Sequence, residues 1–156
     1  MDTQSPWLDD DQQDLWQALL TIVIALPAAL DRQLQRTSSI SNFEYGVLAR
    51  LSMADKCTMR LSDLARDCDS TQPRLSKLMD RFEARGWVAR RPDPEDGRYT
   101  LATLTESARQ KLADAAPEHV AQVKRLVFDP LTATQRRHLE PALTRIATTV
   151  RQELDR

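Results

Sequence analysis

Three basic side chains recur at helical spacing in the middle of the chain: Arg74, Lys77 and Arg81. Residues three and four apart lie on one face of a helix, so these side chains would form a cationic stripe. Guanidinium and ammonium groups pair with phosphate oxygens, and arginine also pairs with the edge of guanine. The pattern therefore predicts recognition of a phosphate backbone rather than catalysis. A solvated helix face can carry the same stripe, so the neighbouring segments must decide between the two.

Polar side chains that can hydrogen-bond surround the start of the stripe: Ser70, Thr71, Gln72 and Ser76. Glutamine suits the edge of adenine and arginine that of guanine, whereas phosphate contacts mainly fix orientation. We therefore expect residues 70–72 and Arg74 to contact base edges. We expect Ser76 and Lys77 to hold phosphates, with Arg81 further along the same face.

The segment from Ser70 to Gly86 is predicted to form one helix. Its apolar residues recur at i, i+3, i+4 and i+7, namely Leu75, Leu78, Met79 and Phe82. Ser70 or Thr71 can cap the first turn, where Pro73 is tolerated. Gly86 follows the last apolar position and can adopt the left-handed conformation that ends a helix. One face would thus anchor the helix while the other meets a ligand.

The flanking segments predict a helix before this one and a hairpin after it. Leu61 to Asp67 is expected to form a short helix capped by Ser62, which leaves only a tight turn from Cys68 onward. Residues 87–91 and 98–104 have the composition of strands, and the intervening proline, aspartate and glycine form a polar tip. Helix, turn, helix and hairpin in this order are a winged helix-turn-helix.

We place this winged helix-turn-helix at residues 41–105. Its first helix would start at Ser41, which forms a capping box with Glu44, and Asp55 to Arg60 would be a loop. The arrangement suits double-stranded DNA, because a helix fits the major groove and a hairpin can lie along the backbone or minor groove.

Apolar helices are predicted on both sides of this unit, at residues 9–36 and 106–155. Pro27 and Pro117 are expected to kink or break them, because proline removes a helical hydrogen bond. Such helices have little to bury against in one chain, so we expect them to interlock in a two-fold homodimer. The predicted fold is mainly α with a small β wing, in a single domain over residues 1–156.

At the wing the chain resembles a known family. The resemblance rests on Gly86-Trp87-Val88, Arg90, Asp96-Gly97-Arg98 and Leu104-Thr105. These residues look like the signature of the MarR family of bacterial transcription regulators, and the length and outer helices also fit. The resemblance implies a homodimer that binds DNA, most often as a repressor in the cytoplasm.

The resemblance also implies roles for two wing residues. In the family the arginine that matches Arg98 reaches into the minor groove, while the aspartate that matches Asp96 braces the wing. From the residues alone, Arg98 could simply pair with Asp96 to hold the turn.

A small aromatic or phenolic effector is a further implication of the resemblance. In the family such ligands bind where the winged unit meets the dimer helices. The residues near the corresponding segments are Trp16, Phe43, Tyr45 and Arg50. Ordinary packing is the alternative role for all four.

The sequence lacks the patterns of an enzyme or of a metal protein. It has no glycine-rich phosphate loop, paired carboxylates or Ser/His/Asp set, and its two cysteines lack the clustered partners of a zinc site. We therefore expect neither a cofactor nor a metal. The apolar run from Leu15 to Leu30 is shorter than the roughly 20 residues that span a bilayer, so we expect a buried helix and no membrane.

Two other functions are left open. Cys57, expected in a loop, could make the chain a thiol-based redox-sensing regulator. Alternatively, the winged unit could be a protein-interaction module without DNA binding, since Asp80 and Glu83 lie in the central helix and the net charge is −1.

Overall fold

The fold follows the capping and periodicity signals of the sequence. The structure is a computed structural model that describes residues 6–154. Its elements in chain order are α1 (Asp10–Ser38), α2 (Asn42–Met53), β1 (Thr58–Arg60), α3 (Leu61–Asp67), α4 (Gln72–Ala84), β2 (Val88–Pro92), β3 (Thr100–Leu104), α5 (Glu106–Val123) and α6 (Ala133–Leu154). A 3₁₀ turn (Asp55–Cys57) precedes β1, and a π-helical turn (Lys124–Phe128) follows α5. The mainly α fold with a small β wing is confirmed.

Side-chain caps mark the start of most helices. Ser41 and Glu44 form the predicted capping box, in which the Ser41 hydroxyl accepts from the Glu44 N–H at 3.0 Å. Thr105 accepts from the Ala108 N–H at the start of α5, and Thr132 accepts from the Gln135 N–H at the start of α6. The predicted cap at Ser62 is wrong. Ser62 lies within α3, which begins at Leu61, and the N-cap residue Arg60 makes no side-chain capping bond.

Two further predictions are corrected. The expected loop at residues 55–60 contains β1, which pairs with β3 in a three-stranded antiparallel sheet of order β1-β3-β2. The strand was missed because three residues are too few to show an alternating pattern. Of the kink or break that was expected at each proline, no break occurs, because α1 continues through Pro27 and α5 through Pro117.

The chain forms two compact units, of which the first ends at His119 and the second begins at Val120, within α5. In the first unit, a core cluster gathers buried residues of α2, α3, α4, the strands and the start of α5. A smaller cluster joins Leu34, Ile40 and Ala115, with Tyr45 and Trp87 packed against it. The single domain over residues 1–156 stays a prediction. Its ends lie outside the described residues, and so does residue 155, the last residue of the predicted helical segment 106–155.

Each unit leaves an apolar face uncovered. In the first unit, α1 exposes large side chains of which Leu15 and Ile24 are each 69% exposed. In the second, α6 has no buried residue among those described and exposes a stripe at Leu139, Leu143, Ile146, Val150 and Leu154. The expectation that the run from Leu15 to Leu30 is buried is therefore wrong for the single chain.

By length and composition, α1 is also long and apolar enough to cross a membrane. An 18-residue stretch of it has a mean hydropathy of 1.4 and no buried residue. One such helix is only weak evidence for a membrane protein. The same exposed stripe is typical of a helix that pairs with a second protein chain.

Candidate nucleic-acid interface

The start of α4 is exposed and is capped by Thr71. The Thr71 hydroxyl accepts from the Arg74 N–H at 3.4 Å, whereas the Ser70 hydroxyl donates to the Thr71 carbonyl at 3.3 Å. Of the two residues that the sequence offered as the cap, the structure selects Thr71. Gln72 and Arg74 are exposed, while Ser70 is half-buried. The surface at this helix end is therefore polar and accessible.

The opposite side of α4 anchors it to the core. Its four apolar residues are at most 1% exposed: Leu75, Leu78, Met79 and Phe82. Burial of four large side chains fixes the rotation of the helix, because each contributes roughly 1.5–3 kcal/mol to stability. The exposed side then carries Ser76, Lys77 and Arg81.

A Schellman motif ends α4. Gly86 has a φ of 69°, its N–H donates to the Glu83 carbonyl at 2.9 Å, and the Trp87 N–H donates to the Phe82 carbonyl at 2.8 Å. The Thr105 hydroxyl donates to the Gly86 carbonyl at 2.7 Å. The end of the helix is thereby tied to the start of α5.

Arg74 lies over an aromatic ring of α2. Its guanidinium carbon is 4.1 Å from the centroid of the Phe43 ring, which is within the range of a cation–π interaction. Phe43 is half-buried and packs against the core cluster. No spacing in the sequence indicates this contact, because the two residues lie on different helices 31 positions apart.

Arg81 is near a buried carboxylate. One Glu44 oxygen lies 3.8 Å from guanidinium nitrogens of both Arg81 and Arg85, while the Glu44 side chain also accepts from the Ser41 N–H. Glu44 is only 6% exposed, so it is fixed where α2 meets α4. Part of the Arg81 charge is therefore balanced within the protein, unlike that of Lys77, which has no carboxylate partner among the described residues.

The wing is joined to α4 by an ion-pair cluster that the sequence did not reveal. Arg90 donates to Glu83 at 2.6 Å and lies 2.8 Å from Asp80. The hydrogen bond that Arg90 donates to Glu83 raises the pKa of Arg90 and lowers the pKa of Glu83. The Arg90 guanidinium is thus paired within the protein.

At the wing tip, Asp96 and Arg98 are paired. Arg98 donates through Nη2 and Nε to the Asp96 carboxylate at 2.6 and 2.9 Å, and its backbone N–H donates to the same group. The side-chain hydrogen bond from Arg98 is the main cause of the lowered pKa of Asp96. The Arg98 side chain is nevertheless 84% exposed, so most of its surface remains accessible.

Asp93 forms a second brace at the base of the wing. It is 5% exposed and accepts from Arg60 Nε at 2.6 Å and from the Glu95 N–H at 2.9 Å. The Glu95 N–H and then the Arg60 side chain lower the pKa of Asp93. Arg60 in turn lies over the Tyr99 ring at 4.7 Å. Sequence reasoning missed this brace because β1 was not predicted.

The start of α4 and the wing face each other across an open cleft of about 520 Å³. Its lining includes residues of α3, α4 and the wing: Leu61, Ser62, Gln72, Pro73, Ser76, Arg98, Tyr99 and Thr100. Of the predicted DNA-contacting residues, Gln72, Ser76 and Arg98 thus share one concave surface.

Two of the four predicted effector residues share a recess. Phe43 and Arg50 line a recess of about 280 Å³ beside α3, whereas the Tyr45 ring lies 4.1 Å from that of His119. Burial raises the pKa of Tyr45. Trp16 is 46% exposed on α1. The lining of the recess therefore includes two of the four residues, and Tyr45 and Trp16 are not part of it.

Neither cysteine has the surroundings of a metal site or of a disulfide. Cys57 and Cys68 are free and half-buried, and both pack against the core cluster. Burial is the main cause of the raised pKa of Cys68. Among residues 6–154, no group of three or more His, Cys, Asp or Glu could hold a metal ion.

Comparison with known proteins identifies the family. The MarR family model matches residues 34–98. The structure of Sco3205, a MarR family transcriptional regulator from Streptomyces coelicolor solved in complex with DNA, is 34% identical, with a TM-score of 0.87 over 94% of this chain and 91% of that one. The chain belongs to the MarR family of transcriptional regulators.

Two other relatives agree with the MarR assignment. AbsC, a MarR family transcriptional regulator from Streptomyces coelicolor, is 32% identical, with a TM-score of 0.89 over 95% of this chain and 99% of that one. YdgJ from Bacillus subtilis, described as an uncharacterised HTH-type transcriptional regulator, is 28% identical over 109 residues, which span 70% of this chain and 65% of YdgJ. As MarR proteins are transcription factors without enzymatic activity, this chain is not an enzyme.

Proposed function

We propose that this MarR protein is a sequence-specific regulator that binds double-stranded DNA as a homodimer in the cytoplasm, most simply as a repressor. The observation that carries the proposal is the exposed polar and cationic face of α4, which lies beside a braced wing and is fixed by four buried residues. A related protein, Sco3205, was crystallised with DNA.

Each element of the interface has a proposed role. The start of α4 enters the major groove, where Ser70, Thr71, Gln72 and Arg74 contact base edges. Phosphates are held by Ser76, Lys77 and Arg81. Arg98 reaches the minor groove from a wing that Asp96 braces.

The homodimer is supported by the apolar faces that α1 and α6 leave exposed. Two-fold symmetry then requires a pseudo-palindromic operator whose half-sites lie roughly 34 Å apart, one turn of DNA. Sedimentation of the full chain should show a dimer at micromolar concentration. Leu15→Glu should shift it toward monomer, because Leu15 lies on the exposed apolar face of α1. Gln13→Glu should not, because helical geometry places Gln13 on the opposite side of α1. A monomeric wild type would refute the dimer.

Selection of bound duplexes from a random pool tests the DNA-binding function directly. We expect a pseudo-palindrome to be enriched, and its binding constant to fall steeply with salt because phosphate contacts release counterions. Failure to enrich any sequence, with no retardation of DNA at low salt, would leave the chain a winged-helix interaction module. The acidic residues that favoured that alternative, Asp80 and Glu83, are both paired with Arg90.

We further propose that a small aromatic or phenolic effector releases the protein from DNA. Its support is family membership together with the recess lined by Phe43 and Arg50. Addition of simple phenols and hydroxybenzoates to the protein–operator complex should release DNA, and Arg50→Ala should require a higher concentration. Release that persists unchanged in Arg50→Ala would place the effector elsewhere.

A further inference from the structure

The contact between Phe43 and Arg74 joins a fixed ring to an exposed cation. Phe43 packs against the core cluster, so its ring is held by the fold, whereas the Arg74 side chain is exposed. An unrestrained arginine loses considerable rotamer freedom when it binds a ligand. With the guanidinium carbon 4.1 Å from the ring centroid, part of that ordering is already present before DNA arrives.

The type of contact also matters for DNA binding. Other arginines of the segment are engaged by carboxylates: Arg81 and Arg85 by Glu44, and Arg90 by Glu83. A carboxylate partner offsets the positive charge, and in the Arg90–Glu83 pair it also occupies N–H donors. Arg74 has no carboxylate partner among the described residues, and the ring of Phe43 carries no carboxylate oxygen that would offset its charge or accept from its N–H donors.

We infer that Phe43 is a positioning residue that sets the Arg74 guanidinium for bidentate pairing with a guanine edge, and thereby determines specificity at one base pair of each half-site. The inference rests on the proposed function. The position of Phe43 beside the effector recess does not itself suggest this role in base recognition. The planar guanidinium is required, since a lysine ammonium cannot make the same fork-shaped pair.

The test compares variants of Phe43 and Arg74 on the selected operator, on duplexes in which one G·C pair is replaced, and on random DNA. Phe43→Leu removes the ring and keeps an apolar side chain of similar size, whereas Phe43→Tyr keeps the ring. Phe43→Leu should lower discrimination at one base pair by roughly 2- to 5-fold, the equivalent of a cation–π contact at an exposed site. Phe43→Tyr should retain discrimination.

Two controls separate positioning from a structural role. Affinity for random DNA and the salt dependence should be the same in Phe43→Leu as in wild type. In an Arg74→Ala background Phe43→Leu should have no further effect on discrimination. Arg74→Lys leaves the core untouched and should lose discrimination at the same base pair, which keeps the inference testable even if Phe43→Leu folds poorly.

Several outcomes would overturn the inference. Unchanged or tighter operator binding by Phe43→Leu would mean that the ring holds Arg74 away from the groove or does not affect it. Equal losses on operator and random DNA, or an effect additive with Arg74→Ala, would mean that Phe43 acts through the fold alone. A wild type that prefers no sequence would instead refute the proposed function, and the inference with it.

Discussion

Arg90 of β2 and Glu83 of α4 are joined by a hydrogen bond of 2.6 Å, and the same guanidinium lies 2.8 Å from Asp80. One residue of the wing therefore balances both acidic side chains of the helix that carries Arg74 and Lys77. Arg90 is only 24% exposed, whereas Asp80 is 61% exposed. Without Arg90, two negative charges would face the same solvent as the proposed DNA.

Arg90→Ala should therefore weaken DNA binding, although Arg90 is not proposed to contact DNA. We expect a loss of a few-fold on operator and random DNA alike at low salt, which shrinks as salt screens the exposed carboxylates. The triple variant with Asp80→Asn and Glu83→Gln should recover most of the affinity, because the repelling charges are gone. A triple variant no better than Arg90→Ala would show that the ion pairs act by orienting the wing instead. Fluorescence anisotropy over a salt series provides the measurement.

Arg74→Ala and Lys77→Ala should differ in kind. Loss of Arg74 should lower the preference for operator over a duplex with one changed guanine by roughly 1–3 kcal/mol, the range for a bidentate base contact. Loss of Lys77 should weaken all sequences alike and lower the slope of log affinity against log salt by about one. If both variants lose the same amount on operator and random DNA, the division between base and phosphate contacts is wrong.

Thr71→Ala should destabilise the first turn of α4. Its hydroxyl accepts from the Arg74 N–H, and loss of such a cap costs about 1 kcal/mol in free energy of unfolding. Ser70→Ala is the matched control, because the Ser70 hydroxyl bonds a carbonyl rather than a helix N–H and should be close to neutral. Urea unfolding of the two variants measures the difference. A larger loss of stability in Ser70→Ala than in Thr71→Ala would show that Thr71 is not the capping residue.

The local signals of the sequence predicted the elements well, because caps and glycine stops act within a few residues. Ser41 with Glu44 caps α2 and Gly86 ends α4, as their types and spacing predicted. The inward stripe of α4 was equally predictable, since helical periodicity places its members on one face.

Contacts between distant segments were not predictable in the same way. These contacts depend on how the helices and strands pack, and the spacing of residues along the chain does not indicate that packing. Examples are the pairs Arg74–Phe43, Arg60–Asp93 and Arg90–Glu83. Spacing also cannot show which arginines are paired within the protein. In the structure, Arg74 contacts a ring, whereas Arg90 pairs with two carboxylates.

His119 provides a test of the packing between α1, α2 and α5 through its pH dependence. Its side chain is buried, its Nδ1 lies 3.3 Å from the Gln33 amide oxygen, and its ring contacts that of Tyr45. Burial lowers the pKa of His119, because the charged imidazolium is poorly solvated there. As pH falls through the unfolded value of about 6.5, the unfolded chain binds a proton that the folded chain does not, so stability decreases.

The melting temperature should therefore drop between about pH 7.5 and pH 5.5, a window above the ordinary range of carboxylate titration. His119→Gln cannot titrate and should flatten this pH dependence, even though the loss of the Tyr45 contact lowers stability at every pH. His138→Gln, at an exposed position of α6, is the matched control and should behave as wild type. If His119→Gln and wild type show the same pH dependence, the buried imidazole does not resist protonation. Its contacts with Gln33 and Tyr45 would then have to open at mildly acid pH.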